Sequence, residues 1–305
     1  MRASQADAGA GYDMNSATCP GGEDYSTARD LLCVQELRIR HPRDELMKGN
    51  ASREDLSHKK PKVPHPVLDK YYASETERQP FVLDLFDGAA ENYNLVCAVL
   101  SLGSGQFYRR WALARSGLRT GMKLLDVAVG TGLVARAAIA ILGDPRSVTG
   151  LDPSSGMLAE ARKRLRIPLV LGIAEKLPFG NDSFDFLSMG YALRHVADLG
   201  VSFREFLRVL KPGGRILILE ISRPPSVTGQ YLIRVYFQRI LPLIMRIFTR
   251  SGYAQLLTTY YWDTIAECVE PTTILEILGA SGFDHVERRV YGRIFSEYTG
   301  VKSAR

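Results

Sequence analysis

A short apolar strand that breaks into a glycine-bearing turn and then opens a helix leaves a chain few choices, and Leu124-Leu125-Asp126-Val127-Ala128-Val129-Gly130-Thr131-Gly132 has that form. Val134, Ala137, Ala138 and Ile141 then share one helical face, and Asp152 closes a second apolar run twenty residues after Gly132. Glycines let the backbone approach a ligand with no Cβ in the way. An acidic residue at the end of the second strand accepts hydrogen bonds from two ribose hydroxyls. The pattern implies a nucleotide-cofactor site at the carboxyl ends of parallel strands.

The surrounding chain agrees. Strands are expected at 123–129, 147–152, 168–174, 184–193 and 215–222, with helices at 132–142, 155–165 and 198–210 between them. The last helix carries Phe203, Phe206, Leu207 and Leu210 at i, i+3, i+4 and i+7, and Lys211-Pro212-Gly213-Gly214 stops it. Strands alternating with helices of this length require right-handed crossovers and a sheet covered on both faces, so the fold class is α/β. A helical lead-in is expected over 67–118. The alternation lapses over 224–269, a segment that must lie over the sheet as a lid or beside it. It resumes with a helix at 271–280 and two strands, 285–291 and 294–302, separated by Gly292 and Arg293 and therefore antiparallel. Residues 1–64 differ in texture, being rich in Gly, Ser, Asp and Lys, and read as a weakly ordered extension with one short helix over 28–40.

Composition excludes several classes. Apolar residues make up 46% of the 305, and the greasiest stretch, Ile240 to Phe248, contains Pro242 and Arg246, so no run reaches the ~18–20 residues of a spanning helix. Thirty-nine basic against thirty-three acidic side chains permit a nucleic-acid partner without indicating one. Cys19, Cys33, Cys97 and Cys268 form no C-x-x-C pair and no secretory core precedes them, which suits a reduced, cytoplasmic chain without a cysteine-built metal site. No G-x-S-x-G, H-E-x-x-H or Walker loop occurs, nor an Asn-Pro-Pro-Tyr-like run after strand 184–193, nor the clustered carboxylates of metal-dependent O-methylation. No nucleic acid and no metal is expected.

The cofactor is less determined, because Gly130-Thr131-Gly132-Leu133-Val134-Ala135 also satisfies the dinucleotide pattern G-x-G-x-x-A. Three features favour S-adenosylmethionine: Asp126 just ahead of the turn, where a carboxylate can pair with the methionine ammonium; the Leu210-to-Arg215 turn; and the terminal strand pair. At this point the chain resembles a class I S-adenosylmethionine-dependent methyltransferase, which implies a Rossmann-like, seven-stranded sheet with one antiparallel strand. The methyltransferase domain so implied spans 65–305, with 224–269 as a lid insertion. Over 67–302 the chain is similar, more narrowly, to the ubiquinone/menaquinone biosynthesis C-methyltransferase family. That resemblance rests on Leu85-Phe86-Asp87-Gly88-Ala89-Ala90-Glu91-Asn92-Tyr93-Asn94, Ser101-Leu102-Gly103, Tyr108-Arg109-Arg110-Trp111, Ala174-Glu175-Lys176-Leu177-Pro178-Phe179, Ser183-Phe184-Asp185 and Tyr191-Ala192-Leu193-Arg194-His195-Val196. It implies a reaction pocket holding Tyr93 and Arg194. It also implies a cofactor held by Asp126, Ala128, Gly130, Thr131, Gly132, Asp152, Pro153, Met157, Ile173, Ala174, Glu175 and Met189. Val129 stands where the family carries a second glycine, Ile173 where a polar side chain meets the adenine, and His195 where an amide follows the arginine.

Methyl transfer to a carbon asks the protein to align a nucleophile and make it electron-rich. On a quinol ring, loss of the phenolic proton pushes density to the ortho carbon. His195 is expected to take that proton, and Arg194 to hold the phenolate unless it is tied in an ion pair. The expected substrate is a hydrophobic small molecule, a prenylated quinol first. An isoprenoid alkene or diphosphate is the alternative, and a non-catalytic cofactor-binding scaffold is the alternative of another class. Over 231–250, Arg239, Arg246 and Arg250 fall within about 40° of one another on a helix. The stripe is either a solvated face or a surface for anionic lipid or a diphosphate. Tyr231, Tyr236, Tyr260, Tyr261 and Trp262 would wall a hydrophobic pocket or pack a core.

Overall fold

The computed structural model describes residues 61–304. The helix expected over 28–40, most of the N-terminal extension, and Cys19 and Cys33 lie outside that range. The expected lead-in is three helices: α1 (Glu75–Ala89), α2 (Tyr93–Leu100) and α3 (Gly105–Arg115). Then follow β1 (Leu124–Val127), α4 (Leu133–Leu142), β2 (Val148–Asp152), α5 (Ser155–Arg164), β3 (Leu169–Leu171), β4 (Phe184–Gly190), α6 (Leu199–Val209) and β5 (Leu210–Ile221). The 224–269 segment folds into α7 (Val227–Val235), a π-helical turn over Tyr236–Ile240, α8 (Leu241–Phe248) and α9 (Gly252–Glu267). The chain ends with α10 (Pro271–Ala280), β6 (Phe283–Tyr291) and β7 (Phe295–Lys302).

Seven strands form one sheet in the order β3-β2-β1-β4-β5-β7-β6, with β7 antiparallel to both its neighbours and every other pairing parallel. The strand order turns about at β1, which pairs with β2 on one side and β4 on the other. In open α/β sheets that switch point opens a crevice at the carboxyl ends of the strands.

Three apolar cores hold the layers. Phe203, Phe206, Ile274 and Ile277 cover one face of the sheet, and Ala112, Leu113, Val134, Ala138 and Leu158 cover the other. The third core lies past the strand ends, where Val82, Leu85 and Val96 of α1 and α2 meet Phe237, Leu241, Met245, Leu257, Tyr260 and Trp262. The 224–269 segment therefore joins the lead-in helices as a roof over the crevice. Each fully buried Leu, Val or Phe in it is worth about 1.5–3 kcal/mol of water-excluded surface, which suffices to seat the roof firmly.

Several boundaries differ from the sequence reading; the 168–174 strand, for one, pairs only over Leu169–Leu171. Strand 184–193 ends at Gly190, because Tyr191 takes a left-handed conformation (φ 62) and Leu193–His195 wind into a 3-10 turn. Conversely, β5 starts at Leu210 rather than 215, since the Lys211–Gly214 turn stays within pairing distance of β4 across a register shift. Residues 62–64 are bonded into the body of the fold: the Lys62 amide donates to Asp198, and the Lys62 and Pro64 carbonyls accept from Leu199 and Val269.

Candidate functional site

At the switch point, Ala128 leaves β1 in the left-handed region at φ 55, followed by Gly130 at φ 55 and Gly132 at φ 86. A non-glycine residue held there is strained, by about 1–2 kcal/mol, and strain of that kind gathers at ligand sites. Gly132 is required by packing as well as by φ, since a Cβ would lie 2.2 Å from the Leu165 Cδ1. The turn is pinned from the next strand: Asp152 accepts from the Gly130 amide (2.7 Å) and from the Ser154 amide (2.9 Å). Val129, in place of a glycine, is accommodated because position 150 beneath it is a glycine; a Cβ there would meet both Val129 methyls at 3.0 Å.

Above the turn lies a cleft, open to solvent on one side, whose empty space, adjoining solvent included, is about 770 Å³. Its floor is Val127, Ala128, Gly130, Leu151, Asp152 and Met189; Met157, Ile173, Ala174 and Glu175 form one wall; Phe86 and Tyr93 close it from the roof and His195 from the turn after β4. Of the residues expected to hold a cofactor, Ala128, Gly130, Asp152, Pro153, Met157, Ile173, Ala174, Glu175 and Met189 all border this cleft. Thr131 borders a smaller recess continuous with it and donates its hydroxyl to Asn94. Gly132 lines neither and serves as the helix cap.

Asp126 is buried behind the turn. Pairing of β1 with β4 sets it opposite Ser188, whose hydroxyl donates to its Oδ1 (2.7 Å), while Oδ2 has no partner among the described residues. Burial pushes its carboxyl up to about 7, and burial likewise raises Asp152 to about 6 against the pull of its two amide donors. Both are held at an electrostatic cost that a cationic or hydroxyl-bearing ligand would relieve.

Sequence reasoning assigned Arg109 no role. It projects from α3 to the recess beside Gly130 and Thr131, is buried, and lies over the Tyr191 ring; its Nε has no partner and no carboxylate pairs with it among the described residues. The sequence did carry a sign of it: Gly105, Arg109, Ala112 and Leu113 share the buried face of α3, and an arginine on an otherwise apolar face needs an anion. Asp87, within the motif around Tyr93, joins roof to sheet by accepting from the Ser154 hydroxyl and the Gly156 amide.

The expectation for Arg194 is corrected. Its guanidinium is buried in an ion pair with Glu220 and donates through Nε to Thr264 (3.3 Å), and it does not border the cleft. Glu220 also accepts from the Leu193 amide (2.8 Å), so the pair fixes the 3-10 turn that presents the next residue. Because the strand stops at Gly190, Arg194 and His195 point in different directions.

His195 does border the cleft. Its ring stacks on Tyr260 (centroids 5.6 Å, 22°) and meets the edge of Phe86 at 5.1 Å, its carbonyl accepts from Gln79 (3.0 Å), and both ring nitrogens lack partners among the described residues. Burial, with the neighbouring Arg194, His65 and Arg78 charges, holds its pKa well below 6.5. The expected base poised near neutrality is therefore a neutral imidazole that accepts hydrogen bonds throughout the physiological range. Tyr93 borders both spaces, and burial raises its phenol well above 10, so it remains a donor. Of the α9 tyrosines, Tyr260 and Tyr261 pack the roof core rather than lining the cleft.

These features find counterparts among known proteins. The model of the ubiE/COQ5 methyltransferase family matches residues 72–302. The chain is 35% identical over 219 residues to the demethylmenaquinone methyltransferase of Symbiobacterium thermophilum, covering 69% of this chain and 87% of that one. It is 32% identical over 236 residues to the ubiquinone/menaquinone biosynthesis C-methyltransferase UbiE of Geotalea daltonii, covering 74% and 98%. Among solved structures, the [4+2]-cyclase SpnF superposes with a TM-score of 0.53 at 18% identity, over 80% of this chain and 100% of that one. That likeness concerns the fold alone.

Proposed function

The chain belongs to the ubiE/COQ5 methyltransferase family, and on that premise we propose that it transfers a methyl group from S-adenosylmethionine to a ring carbon of a prenylated quinol. The observation that carries the reading is that one cleft has the left-handed glycine turn and the Asp152 carboxylate on its floor and an aromatic end formed by Phe86, Tyr93 and His195. Arg109 borders the adjoining recess, and Asp126, buried behind the turn and bordering neither space, keeps Oδ2 without a partner among the described residues. S-adenosylmethionine offers a carboxylate, an ammonium and a ribose diol, one for each, so the residues fit the cofactor. Arg109 would hold the carboxylate, Asp126 the ammonium and Asp152 the diol, with Met157, Ile173 and Ala174 against the adenine.

When bound, the cofactor supplies an electrophilic methyl on a sulfonium. Everything else falls to the chain. Phe86, Tyr93 and Met189 exclude water and orient the quinol ring for in-line attack. A ring nitrogen of neutral His195 accepts the hydrogen bond of a quinol hydroxyl and draws its proton away, which raises electron density at the ortho carbon; once methylated, that carbon loses its hydrogen as a proton to solvent, and the ring re-aromatises with its oxygen re-protonated from His195. Tyr93 donates to a quinol oxygen. Arg194 acts on His195 from behind, as an anchor of its turn.

A diphosphate-bearing isoprenoid is disfavoured because the described residues bordering the cleft include no lysine or arginine at its aromatic end. Offering a demethylated quinol and a prenyl diphosphate in parallel, with a labelled methyl donor and chromatographic analysis, tests the choice. Methylated quinol is expected; a methylated or cyclised terpenoid overturns it, and cofactor binding without turnover on either establishes the scaffold alternative instead.

A further inference from the structure

Between Glu220 and Asp263 the chain carries five arginines and neither a carboxylate side chain nor a lysine. Arg223 pairs with Glu270, whereas Arg234, Arg239, Arg246 and Arg250 are exposed and form no ion pair among the described residues. Among them stand bulky apolar side chains turned to solvent: Leu243 is 57% exposed, Ile247 65% and Phe248 71%. Phe237, Leu241 and Met245, four apart, hold the inner side of this segment in the roof core, so its outer side is fixed rather than accidental.

A second element, packed against this one, also carries an exposed apolar side chain. Helix α8 packs against α2, and the Tyr236 hydroxyl donates to the Val99 carbonyl (3.1 Å). Just beyond, the turn that ends α2 holds Leu102 in the left-handed region at φ 48 with 88% of its surface exposed. A leucine there incurs both conformational strain and apolar hydration where a glycine would incur neither. Single exposed leucines need no explanation, but several bulky apolar side chains exposed on two elements that pack together, one of them in a stretch whose only charges are positive, do.

We propose that this face, made of α8 and the turn after α2, seats the protein on a bilayer bearing anionic lipid, with Arg239, Arg246 and Arg250 at headgroup level and Leu102, Leu243, Ile247 and Phe248 in the acyl boundary. Flanks of one sign match a surface whose charges are all of the other sign; a protein partner would be matched by mixed charges. The buried side of α8 belongs to the roof over the cleft, so docking would turn the roof toward the phase in which a prenylated molecule dissolves. α7, earlier in the same segment, also exposes Tyr231 and Leu232.

The test is flotation of the full chain with phosphatidylcholine vesicles, with and without phosphatidylglycerol. It contains neither quinol nor methyl donor, so its outcome is independent of the catalytic reading. Binding is expected only to the anionic vesicles and should weaken with added salt. The paired change Arg239→Gln with Arg246→Gln should lower partitioning roughly 10- to 100-fold, at about one kcal/mol per basic side chain near the surface. Leu243→Ser with Phe248→Ser should leave only a residue of binding that salt abolishes completely. Unchanged thermal melting and unchanged binding of S-adenosylhomocysteine would establish that both pairs remain folded. Equal flotation on neutral and anionic vesicles, or no flotation, overturns the proposal; a dimer in sedimentation velocity that Leu243→Ser with Phe248→Ser dissolves would assign the face to a second copy of the chain.

Discussion

Replacing Asp126 with asparagine should stabilise the ligand-free protein at neutral pH and above while impairing it as a cofactor binder, and the size of the gain should depend on pH. The carboxyl is 1% exposed and burial raises it from 3.8 to about 7. At about 1.4 kcal/mol per pH unit, this lifts the cost of the charged form by about 4 kcal/mol. The sign follows from proton binding. The folded chain holds the proton more tightly than the unfolded chain, so the stabilising contribution is complete below about pH 4 and is lost as pH rises through about 7. Roughly 3 kcal/mol of the loss falls between pH 5 and 8. In Asp126→Asn the amide Oδ1 still accepts from Ser188, and only the added Nδ2 hydrogens lack partners, a cost of about 1–3 kcal/mol that does not vary with pH. Urea unfolding of both proteins at pH 5, 6, 7 and 8 reads the difference directly. The variant should gain on the wild type by about 3 kcal/mol from pH 5 to 8. A difference that stays constant across that range would refute the reasoning, since it would mean that Asp126 is not protonated in the ligand-free fold.

Arg109→Met should raise the Kd for S-adenosylhomocysteine by roughly 10- to 100-fold in calorimetry, the scale of losing a charge-assisted contact, without destabilising the ligand-free chain. Arg194→Met should destabilise the fold by about 3–5 kcal/mol by leaving Glu220 buried and unpaired, and adding Glu220→Leu should restore part of it in thermal melts, the Leu193 amide staying unpaired; the double variant, its turn unanchored, should lose turnover while its Kd for S-adenosylhomocysteine is unchanged, and an unaltered kcat would contradict the anchoring role of Arg194. His195→Asn keeps a neutral hydrogen-bond acceptor at the cleft, so it should retain substantial methylation of a quinol and leave kcat/KM without an inflection at pH 6.5, like the wild type.

The sheet was legible because its strands are apolar runs closed by Gly, Pro or Asp, and because helices such as Leu199–Val209 display their buried side at regular spacing. The floor of the cleft was legible for the same reason: Gly130, Asp152 and their neighbours act through backbone shape and a strand end, which local sequence specifies. What lies above it depends on partners distant in the chain. Nothing in the sequence around Arg194 indicates that Glu220 will neutralise it, and Tyr191 ends the strand by a left-handed φ that tyrosine seldom adopts. The pKa of His195 is set by its enclosure between Phe86 and Tyr260, contributed by helices on either side of the sheet sequence. Arg109 was visible as a cation on a buried helical face, but its target could be recognised only once α3 was seen to bring it beside the glycine turn.

The central claim is that this cleft delivers a methyl group to carbon. It is tested most directly by a single turnover with 13C-methyl S-adenosylmethionine and a reduced, prenylated demethylquinol, followed by 13C NMR of the extracted lipid. The account predicts one labelled resonance at the position of a methyl on a ring carbon, formed from the quinol and not from the oxidised quinone. A label found on oxygen, or equal transfer to quinol and quinone, would contradict it.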